Sequence, residues 1–526
     1  MRVWGPALPG RAQSGNRNRA HIRLLLLPAI AIIAGLMGAL AQSGTDRIGN
    51  IVVIFAENRA FDTLYGSFPG ADGLANANAA GLPQLDRDGS TLRELPPVWG
   101  GLTAKGVRPR VTEAETAHLP NRPFAIDDPR GIHTPASVVT RDLWHRFYQN
   151  QMQIDGGRND KFAAYADSGA LAMGYYDGSK LKMWEIARRY TLADRFFMGT
   201  FGGSFLNHVW LICACVPEYP NADRSPAKPS ISAVEADGVS LKIARNSPLS
   251  ALSGPPKFVR DGNLTPDFFA VNTMQPPYQP SANEPAKGGD PALANPALPT
   301  TLPPQSKQTI GDLLTAKGIG WAWYSGAWQA ALSGKKAKPV PNFQYHHQPF
   351  NYFVSMAPGT VERSKHLRDG GLGGVEFLKA IDAGALEQVV FYKPQGDLNE
   401  HPGYADVQAG DEHIADVISH LEKSPQWINM VVIVTYDENG GFWDHVAPPK
   451  GDRWGPGSRV PAIIVSPFAR KGYVDHTPYD TTSILRLITK RFGLPVLPGI
   501  QARDDQTKAG GHQALGDLTN ALQLAR

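Results

Sequence analysis

The chain has 526 residues, 52 Lys+Arg against 48 Asp+Glu, and two cysteines. Five of the arginines (Arg2, Arg11, Arg17, Arg19, Arg23) fall before position 24; without them 47 basic residues face 48 acidic ones, so the basic balance leaves no nucleic-acid footprint in the rest of the chain. Two cysteines exclude a disulfide framework and disfavour a thiolate zinc site.

From Met1 to Ala41 there is no acidic residue, and an apolar run from Leu24 closes on Ala39-Leu40-Ala41. A basic stretch, an apolar run and small residues in an A-x-A pattern read as a secretory signal peptide cleaved after Ala41. An uncleaved anchor is the alternative, because the run is nearly long enough to span a bilayer. The expectation is an exported protein, periplasmic or secreted, with residues 42–526 as one large domain.

Along that domain, apolar β-branched runs alternate with helical patterns, as in a parallel sheet flanked by helices. The predicted strands are Ile51–Phe55, Trp321–Tyr324, Val389–Tyr392, Met430–Thr435 and Ala462–Val465. The predicted helices are Arg141–Ile154, Leu181–Tyr190, Thr309–Ala316, Val375–Ile381, Glu412–Leu421 and Thr481–Arg491, the last with Asp480 or Thr481 as cap and Gly493 as stop. Between about 225 and 304 Pro, Ala, Asn and Gly dominate and periodicity is weak, which reads as an inserted loop-rich subdomain. Cys213 and Cys215 are too close in sequence to bridge within one regular element and read as two small buried residues.

Chemistry gathers in four places. The strand at Ile51 runs into Glu57 and Asn58, and the strand at Met430 runs into the adjacent carboxylates Asp437 and Glu438, then Gly440-Gly441. Ligands collect at the carboxyl ends of parallel strands, and neighbouring confined carboxylates repel unless a cation lies between them. Hard oxygen ligands suit a divalent ion, with Asp444 and His445 available to support it; the plainer alternatives are strand ends reaching solvent and an acidic turn. In Gly202-Gly203-Ser204 a glycine-flanked serine opens an apolar helical run, which would set its hydroxyl at an anion-favouring helix N-terminus. The alternative is a serine that caps its own helix. Separated histidines complete the set: His145 on a helix, the pair His346-His347, and His401 in a turn. Imidazoles suit phosphate contacts and protonation of a leaving alkoxide.

These segments together resemble the phosphoesterase family that contains bacterial acid phosphatases and the haemolytic and non-haemolytic phospholipases C. The resemblance is carried by Glu57-Asn58-Arg59-x-Phe61-Asp62, Gly202-Gly203-Ser204-x-x-Asn207-His208, His346-His347-Gln348-Pro349-Phe350 and His401-Pro402-Gly403. It continues through Tyr436-Asp437-Glu438-Asn439-Gly440-Gly441-Phe442-x-Asp444-His445, Arg459-Val460-Pro461 and His476-Thr477-x-Tyr479-Asp480. It implies an α/β three-layer sandwich with a central, largely parallel sheet, alkaline-phosphatase-like. It also implies one divalent or trivalent metal ion (Ca, Mg, Mn, Zn or Fe) held by Glu57, Asn58, Ser204, Asp437 and Glu438, with Ser204 as nucleophile. By the same resemblance Asn58, His145, His401 and one of His346 and His347 (His347 favoured) contact phosphate or donate a proton. Asn207, Asp444, His445 and His476 support the site from behind.

The substrates implied are small phosphate esters or phospholipid headgroups. Membrane contact would come only through the signal segment or a lipid substrate. Ser204 stands where the phospholipase branch carries threonine, which favours an acid phosphatase acting through a phosphoserine. A phospholipase C on the same fold and a non-catalytic exported phosphate- or metal-binding protein are the alternatives. A sulfatase is not expected, since Ser204 lacks the C/S-x-P-x-R context.

Overall fold

The computed structural model describes residues 44–334 and 343–524; the signal-peptide expectation lies outside them. An eight-stranded sheet forms the centre. Its strands in chain order are β1 (Asn50–Ala56), β2 (Thr191–Ala193), β3 (Trp321–Gly326), β4 (Leu367–Gly371), β5 (Val389–Lys393), β6 (Met430–Tyr436), β7 (Ala462–Val465) and β8 (Tyr473–Asp475). In space they run β8-β2-β7-β6-β1-β5-β3-β4. Five neighbours, β6, β1, β5, β3 and β4, are parallel; β7 alone runs against the rest, pairing antiparallel with both β6 and β2.

Every residue of β1, β3, β5, β6 and β7 is buried. Such strands need cover on both faces, which is why they read as unbroken Val/Ile runs instead of alternating ones. The principal helices are α1 (Phe61–Tyr65), α2 (Phe147–Ile154), α3 (Lys182–Arg189), α4 (Ser204–Cys213), α5 (Ile310–Ala316), α6 (Val375–Asp382), α7 (Val407–Lys423) and α8 (Thr481–Phe492). They form two groups that pack among themselves, α3 with α7 and α6, and α4 with α8 and α5. The expected α/β architecture around a largely parallel sheet is therefore present.

All five predicted strands are found, four of them one or two residues longer. β2, β4 and β8 left no clear sequence signal, being short and, in β4, dominated by Gly370-Gly371 and charge. Two expectations need correction. The helix predicted from Arg141 starts only at Phe147, with Arg146 extended (φ −111°, ψ 159°), so His145 lies on a non-helical segment before it. Asp142 and the backbone N–H groups of Leu143 and Trp144 find side-chain partners instead of helical ones: Leu143 N–H donates to Asp142 and Trp144 N–H to Asp167. Cys213 and Cys215 are joined by a disulfide. α4 ends at Cys213, and Ala214 turns left-handed (φ 47°), bringing the two Cα atoms to 5.1 Å; the bridge spans a helix end, not a regular element.

Residues 225–304 contain no helix longer than three residues and no strand, only single-residue pairings such as Ile243–Phe258. Among the described residues no helix is long and apolar enough to cross a membrane.

Candidate active site

β1 and β6 are paired in register, Ala56 opposite Tyr436, so the next residues on each, Glu57 and Asp437, leave the sheet side by side. All of Glu57, Asn58, Asp437 and Glu438 are buried, each 0% exposed. Asp437 Oδ1 accepts from the backbone N–H groups of Asn58 (3.3 Å) and Glu438 (2.8 Å). Its Oδ2 has no hydrogen-bond partner among the described residues. Glu57 Oε2 accepts from Asn399 Nδ2 and the Tyr404 hydroxyl, each at 2.9 Å. Its Oε1 lies 2.5 Å from His347 Nε2 and 2.7 Å from Lys393 Nζ, at ion-pair distance.

Ser204 is the first residue of α4, and Gly203 is its cap. The serine hydroxyl does not cap the helix. It donates toward Asn58 Oδ1 (3.3 Å) and Glu438 Oε1 (3.4 Å), across from the strand ends. The preceding glycines have a packing role: a Cβ on Gly202 (φ 87°) would lie 2.4 Å from Phe147 N, and one on Gly203 2.6 Å from the His145 carbonyl oxygen. The bare backbone thus lets the His145 segment run directly against the serine turn. Asn207 holds that turn from within α4, its amide donating to the carbonyls of Gly202 (3.3 Å) and Gly203 (3.2 Å) and its Oδ1 accepting from Thr200 N–H at 2.9 Å.

His145 Nδ1 donates to the Leu143 carbonyl (2.6 Å), which leaves Nε2 facing Asn58 Nδ2 at 3.5 Å and Glu438 Oε1 at 3.7 Å. His401 Nδ1 likewise donates to the Pro402 carbonyl at 2.5 Å; its ring stacks on Tyr404 (4.3 Å) and meets His145 edge-on at 5.6 Å. A cleft of about 480 Å³ is lined by Ser204, His145, His346, His401, Tyr404 and Gln344, among others. Of the tandem pair, His346 faces this cleft, while His347 sits behind it against Glu57.

The remaining three predicted supports stand elsewhere. Asp444, His445 and His476 make none of their bonds to the strand-end carboxylates. They belong to a network centred on the buried Arg459, whose guanidinium bonds Asp444 (2.8 Å) and Asp62 (3.1 Å). His445 bridges Asp62 (2.6 Å) and Asp72 (3.1 Å), and His476 reaches Asp194 at 2.8 Å.

Three residues of the site were given no role in the sequence reading, although His208 stands in the motif around Ser204. Lys393 ends β5 and is 0% exposed; a lysine closing an otherwise apolar buried strand was the available signal. His208, one turn after Ser204, donates to the Ser204 carbonyl (2.8 Å) and lies 3.6 Å from Asp437. Tyr404 follows His401 by three residues.

The electrostatics follow from burial. Asp437 is pushed up to about 7 by burial, with Lys393 working against the shift and the Glu57 charge adding to it. Glu438 is raised well above the carboxylate range, again first by burial. His145 is held at about 9: burial opposes its proton, but Glu438 and Asp142 outweigh it. Three buried carboxylates face the Lys393 ammonium and the His145 imidazolium, so acids outnumber cations, and Asp437 Oδ2 has no hydrogen-bond partner among the described residues. A hard cation fits an oxygen-rich donor set of this kind, and Glu57, Asn58, Ser204, Asp437 and Glu438 are the residues that could hold one. His208 also lies close enough to Glu57 and Asp437 to share an ion with them.

The carboxylates that leave β1 and β6, the Ser204 hydroxyl and the imidazoles of His145, His346 and His401 meet around one cleft, an arrangement suited to the hydrolysis of phosphoric esters. The chain belongs to the Phosphoesterase family, whose model matches residues 48–495. It is similar to phospholipase C B of Mycobacterium tuberculosis, 23% identical over 91% of this chain and 78% of that protein. It is also similar to the non-hemolytic phospholipase C of Pseudomonas aeruginosa, 23% identical over 96% of this chain and 63% of that protein. A solved protein of the alkaline phosphatase superfamily from Vibrio parahaemolyticus aligns over 68% of this chain and 67% of its own at 9% identity with a TM-score of 0.31, too loose a likeness to add to the assignment.

Proposed function

We propose that the protein is an exported, metal-dependent phosphatase that attacks phosphate monoesters with Ser204 and passes through a phosphoserine. The observation that carries this reading is the Ser204 hydroxyl itself. It opens a ten-residue helix, leaves the capping role to Gly203 and points at Asn58 and Glu438 beside three histidines. The free N–H groups of the first turn of α4 favour a phosphate dianion beside that hydroxyl.

A bound cation supplies charge neutralisation and a lowered hydroxyl pKa in such a site. The protein's own residues do the rest. Ser204 Oγ forms the bond to phosphorus as the bond to the leaving alkoxide breaks. The serine proton passes to Glu438 Oε1, 3.4 Å away, in the ionised form that a bound cation would hold against the effect of burial. His145, fixed in orientation through Nδ1 and kept protonated by Glu438 and Asp142, presents Nε2 to the cleft as the donor to the departing alkoxide. His346 and His401 face the same space and are assigned phosphate contact. His347, behind Glu57, is assigned to holding that carboxylate. Water then attacks phosphorus, releases phosphate and restores the serine.

The names of the relatives favour a second reading, phospholipase C on the same scaffold. One panel separates the two: nitrophenyl phosphate against phosphatidylcholine, with wild type and Ser204→Ala. The expected result is preferential monoester turnover, lost by roughly 10³-fold or more in Ser204→Ala, with acid-stable label on Ser204 after quenching with a labelled substrate. Turnover confined to the phospholipid would establish the second reading, and label on a histidine would remove Ser204 as nucleophile.

A further inference from the structure

Beside the catalytic cleft, and sharing Asp142, Leu143 and Trp144 with it as a common wall, lies a second cavity of about 850 Å³. Its lining carries four cations, Lys105, Arg108, Arg110 and Arg141, against the two carboxylates Asp142 and Asp167. Two of these charges are already spent on each other, since Arg141 Nη2 bonds Asp167 at 3.1 Å. Asp142 lies 3.6 Å from His145 Nδ1. Lys105, Arg108 and Arg110 have no hydrogen bond or ion pair among the described residues.

The loop that carries these three is fixed at its base. Leu102 N–H donates to the Val111 carbonyl (3.0 Å), Val111 N–H to Thr103 Oγ1 (3.2 Å) and Ala104 N–H to the Val139 carbonyl (3.0 Å). Arg141 N–H donates to Leu102 at 2.8 Å, which ties the base of the loop to the segment that carries His145. Trp144 in the shared wall packs against Phe258, ring centres 5.9 Å apart. A concave space of this size suits a small ligand, and uncompensated cations around it select an anionic one.

We propose that this cavity is a second anion subsite. It would hold a phosphate carried on the alcohol part of the substrate while the ester being cleaved sits at Ser204. This rests on the reading of Ser204 as the reacting centre and names the substrate class: phosphate esters whose alcohol bears a further phosphate. The charges line a concavity and not a flat face, which favours a soluble bisphosphate over a membrane surface.

The test compares fructose 1,6-bisphosphate with fructose 6-phosphate, which share a sugar and differ by the second phosphate, on wild type and on Lys105→Glu/Arg108→Glu/Arg110→Glu. All three positions are exposed, so the fold is not at stake. The ratio of kcat/KM for the bisphosphate to that for the monophosphate should fall at least tenfold in the variant. The same ratio should fall with added salt in wild type, as screening predicts. An unchanged ratio, or parallel loss on both substrates, overturns the subsite. So does a variant that loses only binding to phosphatidylglycerol vesicles, which would make the patch a membrane contact. Calorimetric titration of the intact protein with pyrophosphate separates this inference from the reading it rests on. If wild type hydrolyses neither the sugar phosphates nor nitrophenyl phosphate yet binds pyrophosphate tenfold more tightly than the variant, the phosphatase reading fails and the subsite stands.

Discussion

Lys393 closes β5 with its ammonium 2.7 Å from Glu57 and wholly out of contact with solvent. Burial alone would raise the Glu57 carboxyl, yet His347 and Lys393 hold it well below the usual range. Deleting one member of such a buried set leaves an uncompensated charge, typically at a cost of about 3 kcal/mol. Lys393→Met should therefore lower stability by that order in urea unfolding with chelator present, and added divalent ion should recover part of the loss. Equal stability of the two proteins in chelator would show that Lys393 does not balance these carboxylates.

A second residue-scale consequence concerns His445. Burial disfavours its proton, but the hydrogen bond and charge of Asp62, with Asp444, raise it to about 9. A raised folded-state value stabilises fully below the unfolded value near 6.5, and that contribution disappears as pH climbs through 9. His445→Gln should be less stable than wild type at pH 6, by about 2 kcal/mol after allowance for screening. The gap should close between about pH 6.5 and 9 when thermal unfolding is measured across that range. A gap independent of pH would mean that His445 packs there without its charge.

At the scale of elements, the serine turn depends on what α4 and the non-helical 141–146 segment allow each other. Gly202→Ala places a Cβ 2.4 Å from Phe147 N in a left-handed conformation, which should cost about 3 kcal/mol. It should also move Ser204 away from Asn58 and Glu438, so activity and melting temperature fall together. A variant with wild-type melting and activity would show that the two segments part easily. α5 offers a milder contrast. Thr309 and Asp312 form a reciprocal capping box and do not line the cleft, so Thr309→Ala should cost about 1 kcal/mol with turnover kept.

For the whole molecule, parallel pairing of β6, β1 and β5 brings Glu57, Lys393 and Asp437 out of one end of the sheet, and α4 brings Ser204 to the same end. A cradle built from four separate parts of the chain should lose both turnover and several degrees of melting temperature in chelator. Elemental analysis of the untreated protein should show an ion in stoichiometric amount. Undiminished activity at undetectable metal would end the metal-dependent reading. Under the proposed export, the Cys213–Cys215 disulfide would form in an oxidising compartment. Mass spectrometry of the exported protein should find an N-terminus at or near Gln42, whereas retained Met1 in membranes would establish an anchor.

The amino-acid sequence by itself determined the strands that bear the site and the identity of its acids. Long Val/Ile runs such as Met430–Thr435 suit a strand covered on both faces, and chain direction alone places Asp437-Glu438 at the carboxyl end of that run. Ser204 was legible for the same local reason: glycines before it and an apolar helix after it. Only the tertiary structure decided how distant segments meet. It turned the 141–146 segment away from helix because Asp142 and Asp167 satisfy its N–H groups. It put His346 in the cleft and His347 behind Glu57, and it drew Asp444, His445 and His476 to the network around Arg459. It bridged Cys213 to Cys215 through a left-handed Ala214 and set Lys393 against the Glu57 carboxylate. Most of these outcomes depend on charge and packing between residues far apart in the chain, and periodicity within a segment carries no trace of them.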